Sequence, residues 1–214
     1  MSLKLYMHPL SSYTHKTLIA FYENDIAFEP LRLDDPQIGS EFRARWPVNR
    51  FPLLRDDARG EAIPESSIII EYLALHYPGK VKLIPDDPDR AREVRAADRF
   101  FDQYLHTPMQ KFAFDARRPA DRHDTYGVDE ARAMYCTALD LFENDIAGKT
   151  WVMGEEFTMA DCAAAPPLFY GDRFYGPFRD SHPNAMAYLD RMKARPSYAR
   201  ALAEAEPFFH YLPK

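Results

Sequence analysis

Cysteine is nearly absent from this chain: Cys136 and Cys162 are the only thiols in 214 residues. Two cysteines make no disulfide framework, and a reducing cytoplasm is the expected compartment. Basic charge is not in excess. With 27 Lys+Arg against 33 Asp+Glu, a formal net charge of −6, the basic face that phosphate contacts require is missing, and nucleic acid is not an expected partner. No apolar run approaches the roughly 18 to 20 residues of a membrane span. The opening MSLKLYMHPL lacks a signal peptide's apolar region and cleavage site, so no membrane partner is expected. The seven histidines fall into no HExxH or similar spacing, and no metal is expected. No glycine-rich, phosphate-cradling loop occurs. What remains is 46% hydrophobic and 14% aromatic residues, enough for a sizeable buried core.

The first eighty residues change period repeatedly. Lys4 to Met7 reads as a strand and Thr14 to Tyr22 as a helix with Leu18, Ile19 and Tyr22 on one face. Ala27 to Leu33 reads as a strand interrupted by Pro30, and Ser40 to Trp46 as a short helix. Phe51 to Arg55 and Glu61 to Ile63 read as strands joined by a turn that ends in Gly60. Ser66 to Tyr77 is helical, with Ile69, Leu73 and Tyr77 at a spacing of four. The order β-α-β-α-β-β-α implies an α/β arrangement with a mixed, four-stranded sheet. Pro78-Gly79 ends it, and LIPDDPDR reads as a link. Helical period then takes over in five stretches. Val94 to Leu105 is one, which Pro108 should kink or interrupt. Ala131 to Ile146, Thr158 to Tyr170, Asn184 to Lys193 and Ser197 to Ala205 follow. The expected organisation is an α/β domain over 1–79, a link over 80–88 and an all-helical domain over 89–214.

Ser11 and Ser12 fall where the first strand hands over to the first helix. A serine there can simply cap the helix, worth about 1 kcal/mol. The same geometry also stabilises an anion, because free N–H groups and the positive helix end point outward. A hydroxyl donating to a thiolate lowers the parent thiol's pKa, each unit corresponding to about 1.4 kcal/mol. The thiolate is the nucleophilic form. A triad on these serines has little support, since His8 and His15 read as structural or surface groups. Cys162, within ADCAAAPPL, and Cys136 read as structural thiols. Thr158-Met159-Ala160-Asp161 is a capping box before an apolar run, a folding element.

Four patterns together carry a resemblance: LYMHPLSSYTHKTLIA, NRFPLL, IPESSIIIEYLALHYP and FTMADCAAAP. In this order and spacing they resemble the soluble glutathione transferases, over nearly the whole chain. The resemblance implies a thioredoxin-like N-terminal domain, an all-α C-terminal domain and a cytoplasmic, detoxifying transferase, homodimeric through contacts between unlike domains. Glutathione is the implied co-substrate. Aligned on Leu5-Tyr6, the serine of theta-like classes and the cysteine of omega-like classes fall on Ser11. The beta-like cysteine falls on Ser12, and Tyr13 stands where zeta-like members carry cysteine. Ser11 is therefore the first candidate for the catalytic hydroxyl, Ser12 the second and Tyr6 a distant third. The resemblance makes Phe51-Pro52 cis, with the Phe51 backbone pairing the cysteinyl part of glutathione. Glu65 is implied to bind its ammonium, Ser66 its γ-glutamyl carboxylate while capping a helix, and Arg50 its glycyl carboxylate.

The electrophile pocket should lie between the domains, with Tyr13, Tyr104, His106, Phe112 and Tyr170 as candidates and Phe169 and Phe174 behind them. These residues imply an apolar second substrate. With no thiol at the first turn, no mixed disulfide with glutathione can form there. That favours conjugation, isomerisation or dehalogenation over thiol transfer. The alternatives are a glutathione-dependent, zeta-like isomerase and a non-catalytic glutathione-binding stress adaptor.

Overall fold

The computed structural model describes residues 2–213. Its sheet has the order β2-β1-β3-β4, built from β1 (Leu3–Met7), β2 (Glu29–Arg32), β3 (Leu53–Asp56) and β4 (Glu61–Pro64). β1 pairs parallel with β2 and antiparallel with β3, and β3 and β4 form a hairpin. The sheet is mixed and four-stranded, as its alternating pattern implies. Within the strands of the sheet, prolines sit at its edges: Pro30 on edge strand β2 and Pro64 at the end of edge strand β4. β1 is buried on both faces. Leu3, Leu5 and Met7 enter the main core, while Tyr6 packs with Phe42 and Leu53 in a smaller one.

Three helices pack on this sheet: α1 (Ser12–Glu23), α2 (Pro36–Arg45) and α3 (Ser66–His76). α2 starts four residues before the expected Ser40. Asp35 caps it, accepting from Gln37 N at 2.8 Å, and Pro36 supplies its first residue. The helical domain follows with α4 (Pro88–Phe100), α5 (Thr107–Asp115), α6 (Thr125–Ile146), α7 (Met159–Phe174), α8 (Pro183–Ala194) and α9 (Pro196–Ala205). Thr158 and Asp161 form the expected capping box of α7. Two features depart from expectation. α6 starts six residues before Ala131, capped by Asp124. Pro108 causes no break. Phe101–His106 widens into a π-helical turn in which Thr107 N donates to Asp102 O, and Pro108 then falls in the first turn of α5, where no N–H is needed.

α1 is the helix around which both domains close, so its residues are buried on almost every side. One of them is Lys16, fully buried and shared among three elements. Its Nζ lies 2.7 Å from Asp98 Oδ1 on α4, 2.7 Å from Asp102 Oδ2 in the wide turn and 2.8 Å from Ser67 Oγ on α3. Ser67 in turn donates to Asp98 Oδ2 at 2.8 Å. Burial pushes the Asp98 carboxyl above its ordinary value, and the Lys16 ammonium opposes that rise. A second tie joins the far end of α1 to α9. Arg195 holds the Glu23 carboxylate at 2.6 and 2.7 Å and lies over the Phe157 ring at 3.9 Å. Gly171 on α7 serves close packing: a Cβ there would sit 1.7 Å from the Tyr135 hydroxyl.

Removing Lys16 leaves two carboxylates facing each other without a cation. Lys16→Met is expected to lower stability by about 3–5 kcal/mol, the cost of breaking a buried ion pair from one side. Urea unfolding checks this, and a loss under about 1 kcal/mol would contradict the role assigned to the cluster.

Candidate functional site

A cleft of about 1270 Å³ lies between the sheet domain and α4–α5, and the turn before α1 forms its floor. That turn is held at every carbonyl. His8 O accepts from Ser11 N at 2.9 Å, Pro9 O from His15 Nε2 at 2.6 Å and Leu10 O from the Tyr170 hydroxyl at 2.9 Å. His15 is fully buried, and burial pushes its pKa down to about 4, so it donates as a neutral ring. The turn thus presents Ser11 in one fixed orientation.

Ser11 is the N-cap of α1: its Oγ accepts from Thr14 N at 3.2 Å. Its hydroxyl proton has no acceptor among the described residues. The N–H groups of Ser12 and Tyr13, in the first turn, have no acceptor within the helix. Ser12 is engaged differently. Its Oγ lies 2.5 Å from His106 Nε2, and the His106 ring is fully buried and stacked on Tyr13 at 3.8 Å. His106 Nδ1 faces Asp102 Oδ1 at 3.9 Å, beyond hydrogen-bond reach but well placed for a carboxylate to hold a proton on Nδ1. Nε2 is then the acceptor and Ser12 the donor. The Ser12 proton is therefore committed, whereas the Ser11 proton is free.

Across the cleft, Phe51, Pro52, Glu65 and Ser66 come together, and the Phe51–Pro52 bond is cis. Glu65 holds a left-handed backbone, φ +69°, which costs on the order of 1–3 kcal/mol and aims an exposed side chain at the cleft. Ser66 does not cap α3. Glu65 occupies the cap position and Ser66 is the first helical residue, because the left-handed turn at Glu65 starts the helix one residue too early for a serine cap. Arg50 also lines the cleft, without a carboxylate partner among the described residues.

The electrophile candidates divide. Tyr13, Tyr170 and Phe174 line the cleft. Tyr104, His106, Phe112 and Phe169 do not. Tyr104 points outward, 47% exposed, against Phe100. His106 lies behind Ser12 as described. Phe112 turns into the core against Tyr135 and the Arg132 guanidinium, and Phe169 packs on Tyr198 and Phe209. Tyr6 is also excluded, since its hydroxyl is spent on Glu41 at 2.5 Å inside the second core. Sequence reasoning missed Asp102 and Gln103 in the wide turn, and Gln110, Phe114 and Arg117 on the next face of α5 and just beyond it. The spacing 110, 113–114, 117 is a helical stripe that could have revealed this face. No cysteine lines the cleft, both thiols are free, and burial pushes the Cys162 thiol well above its ordinary value. Among the described residues no cluster of three metal-ligating side chains occurs, and no helix is long and apolar enough to cross a membrane.

Residues 5–81 match the family model for the glutathione S-transferase N-terminal domain, and residues 91–196 match that for the C-terminal domain. The chain is 28% identical over 198 residues to glutathione S-transferase GstB of Escherichia coli, covering 90% of this chain and 93% of that protein. It is 26% identical over 216 residues to maleylacetoacetate isomerase of Pseudomonas aeruginosa, covering 96% and 98%. In fold it matches a Methylobacillus flagellatus glutathione S-transferase crystallised with GSH bound, with TM-score 0.85, 24% identity and coverage of 94% and 98%.

The neutral His15 sets a pH dependence. In the unfolded chain an imidazole titrates near 6.5, whereas in the fold it does so near 4, because a second proton on the partnerless Nδ1 would be buried. Between these values the unfolded chain binds more protons, so stability is full above about pH 6.5 and falls on acidification toward 4. His106, also lowered by burial, adds a slope of the same sign. Thermal melts across this range should show the fall, and His15→Gln, which still donates to Pro9 O, should reduce its slope. An unchanged slope in that variant would count against the neutral, turn-holding imidazole.

Proposed function

The chain belongs to the glutathione S-transferase family, and from that premise we propose that Ser11 holds the sulfur of glutathione as a thiolate for attack on an apolar electrophile. One observation carries this: the Ser11 proton is unspent, at a helix N-terminus, on a turn whose three carbonyls are all anchored. A thiolate placed there receives the Ser11 hydroxyl and the first-turn N–H groups, and the positive helix end adds to them. The exposed Glu65 carboxylate suits the γ-glutamyl ammonium. The N–H groups at the start of α3 suit the neighbouring carboxylate, with the buried Ser66 hydroxyl beside them. Phe51 offers backbone to the cysteinyl unit, and Arg50 suits the glycyl carboxylate. Ser12 serves as a positioning residue, fixing His106 and through it the Tyr13 ring. With no thiol in the cleft wall, the expected chemistry is conjugation.

Two exposed apolar side chains on α3, Ile68 and Leu75, and the outward Tyr104 support a homodimer through this face. The free thiols fit a reducing cytoplasm. A second reading, a glutathione-dependent isomerase, is favoured by the full-length similarity to maleylacetoacetate isomerase. Isomerisation of a cis-alkene diacid without consumption of glutathione would select it.

Ser11→Ala is expected to raise the pKa of the bound thiol by about 1–2 units, the worth of one charge-assisted hydrogen bond, and to lower kcat/KM for an aryl halide accordingly. Ser12→Ala should instead cost about 1–3 kcal/mol of stability, leaving buried His106 Nε2 unpaired, with a smaller shift in the thiol pKa. Thiolate absorbance titrations of both variants and chemical denaturation separate the roles. A thiol pKa that moves in Ser12→Ala and not in Ser11→Ala would exchange them, and one that moves in neither would sink the hydroxyl mechanism.

A further inference from the structure

The wall of the cleft beyond Ser11 is largely apolar, formed by Leu10, Met109, Ala113, Phe114 and Phe174, with Gln110, His8 and Arg117 as its polar members. Arg117, just past α5, lines this wall with an exposed side chain and pairs with no carboxylate among the described residues. Its neighbour Arg118 shows the contrast: it is held by Asp115 at 3.1 Å. Among the described residues two acids line the cleft. Asp102 is bound by Lys16, and Glu65 stands at the start of α3, where glutathione's ammonium is proposed to lie.

His8 adds a second donor to the same wall. Its Nδ1 accepts from Leu10 N at 3.1 Å, which places the ring proton on Nε2. Burial and the nearby Arg32 and Arg117 guanidinium groups lower its pKa, so it contributes an N–H without a charge. The one carboxylate that faces it, Asp34, is committed to Arg32 at 3.0 Å. A free guanidinium and a ring N–H beside an apolar wall form a site with donors and no matching acceptor.

We propose that Arg117 and His8 recognise an anionic group on the second substrate, which is therefore an apolar electrophile carrying a carboxylate. This rests on the glutathione transferase reading and goes beyond it by naming the substrate class. Glutathione's own carboxylates are accounted for by Arg50 and the α3 terminus, which leaves the Arg117 charge to the other substrate. A planar guanidinium takes a carboxylate with two parallel hydrogen bonds, and the aromatic or alkenyl body then lies along Met109, Phe114 and Phe174.

The test compares 4-chloro-3-nitrobenzoate with its methyl ester. In both, the glutathione sulfur forms the new C–S bond, the C–Cl bond breaks and chloride leaves. With each rate normalised to that compound's uncatalysed reaction with glutathione, since a para ester activates the ring more than a para carboxylate, wild type should favour the acid in kcat/KM by about tenfold, mostly through KM, the scale of a charge-assisted pair at a partly solvated site. The preference should vanish in Arg117→Leu, reverse in Arg117→Glu and persist in part in Arg117→Lys. Calorimetry with the two S-aryl glutathione conjugates gives a second readout that needs no turnover, with tighter binding of the acid conjugate again lost in Arg117→Leu. Turnover or binding of the ester with no preference for the acid, or a preference that survives Arg117→Leu, overturns the anion site while leaving the transferase reading intact. Failure to bind glutathione or either conjugate overturns both.

Discussion

A single buried ammonium organises this molecule. Lys16 enters the protein on α1, yet its three partners lie on α3, α4 and the wide turn between α4 and α5. Those elements carry the three walls of the cleft: Ser11 to Tyr13 on the first, Glu65 and Ser66 on the second, Asp102 and Gln103 on the third. A lysine without water must find carboxylates, and two carboxylates without water must find a cation. Neither domain satisfies this alone, since Lys16 and Ser67 come from one and Asp98 and Asp102 from the other. The requirement therefore fixes how the domains meet, and with that the distance across the cleft.

The floor of the cleft shows the same logic on a smaller scale. A strand-to-helix turn leaves backbone carbonyls in need of donors. Here His15, Tyr170 and the Ser11 N–H supply them, from the next turn of α1, from α7 and from the turn itself. Every anchor is uncharged, and the two side chains among them, His15 and Tyr170, are buried, which holds the turn without adding charge beside the place proposed for the sulfur anion. The left-handed backbone at Glu65 is the complementary case, where local strain is retained and aims a side chain into the cleft.

Much of this was legible in the chain. The alternation of periods gave the element order and the mixed sheet, Thr158 and Asp161 announced their capping box, and Ser11, Ser12, Phe51, Pro52, Glu65 and Ser66 all reach the cleft as expected. Helix starts were missed where the cap preceded the apolar stripe, at Asp35 and Asp124, because exposed first turns carry no hydrophobic period. The electrophile wall was misread for another reason. Phe112 and Phe114 are equally aromatic, and only the rotation of α5 decides which enters the core. That rotation follows from the π turn, which no local pattern except Pro108 foreshadowed. His106 was placed in the pocket with the ring-bearing residues of the helical domain, whereas its ring is wholly enclosed behind Ser12.

The wide turn at Phe101–His106 amounts to one residue slipped into an otherwise continuous rod. Each residue along an α-helix turns the face by about 100°. Rewinding these residues as regular α-helix, with none removed, would swing everything downstream by about that angle, because the wide turn is what absorbs the extra residue. Phe114 and Arg117 would leave the cleft together, and a different stripe of α5 would come round to replace them. The stripe of α5 that faces the cleft is thus set by how these six residues wind, at a place where no side chain of the stripe itself is found.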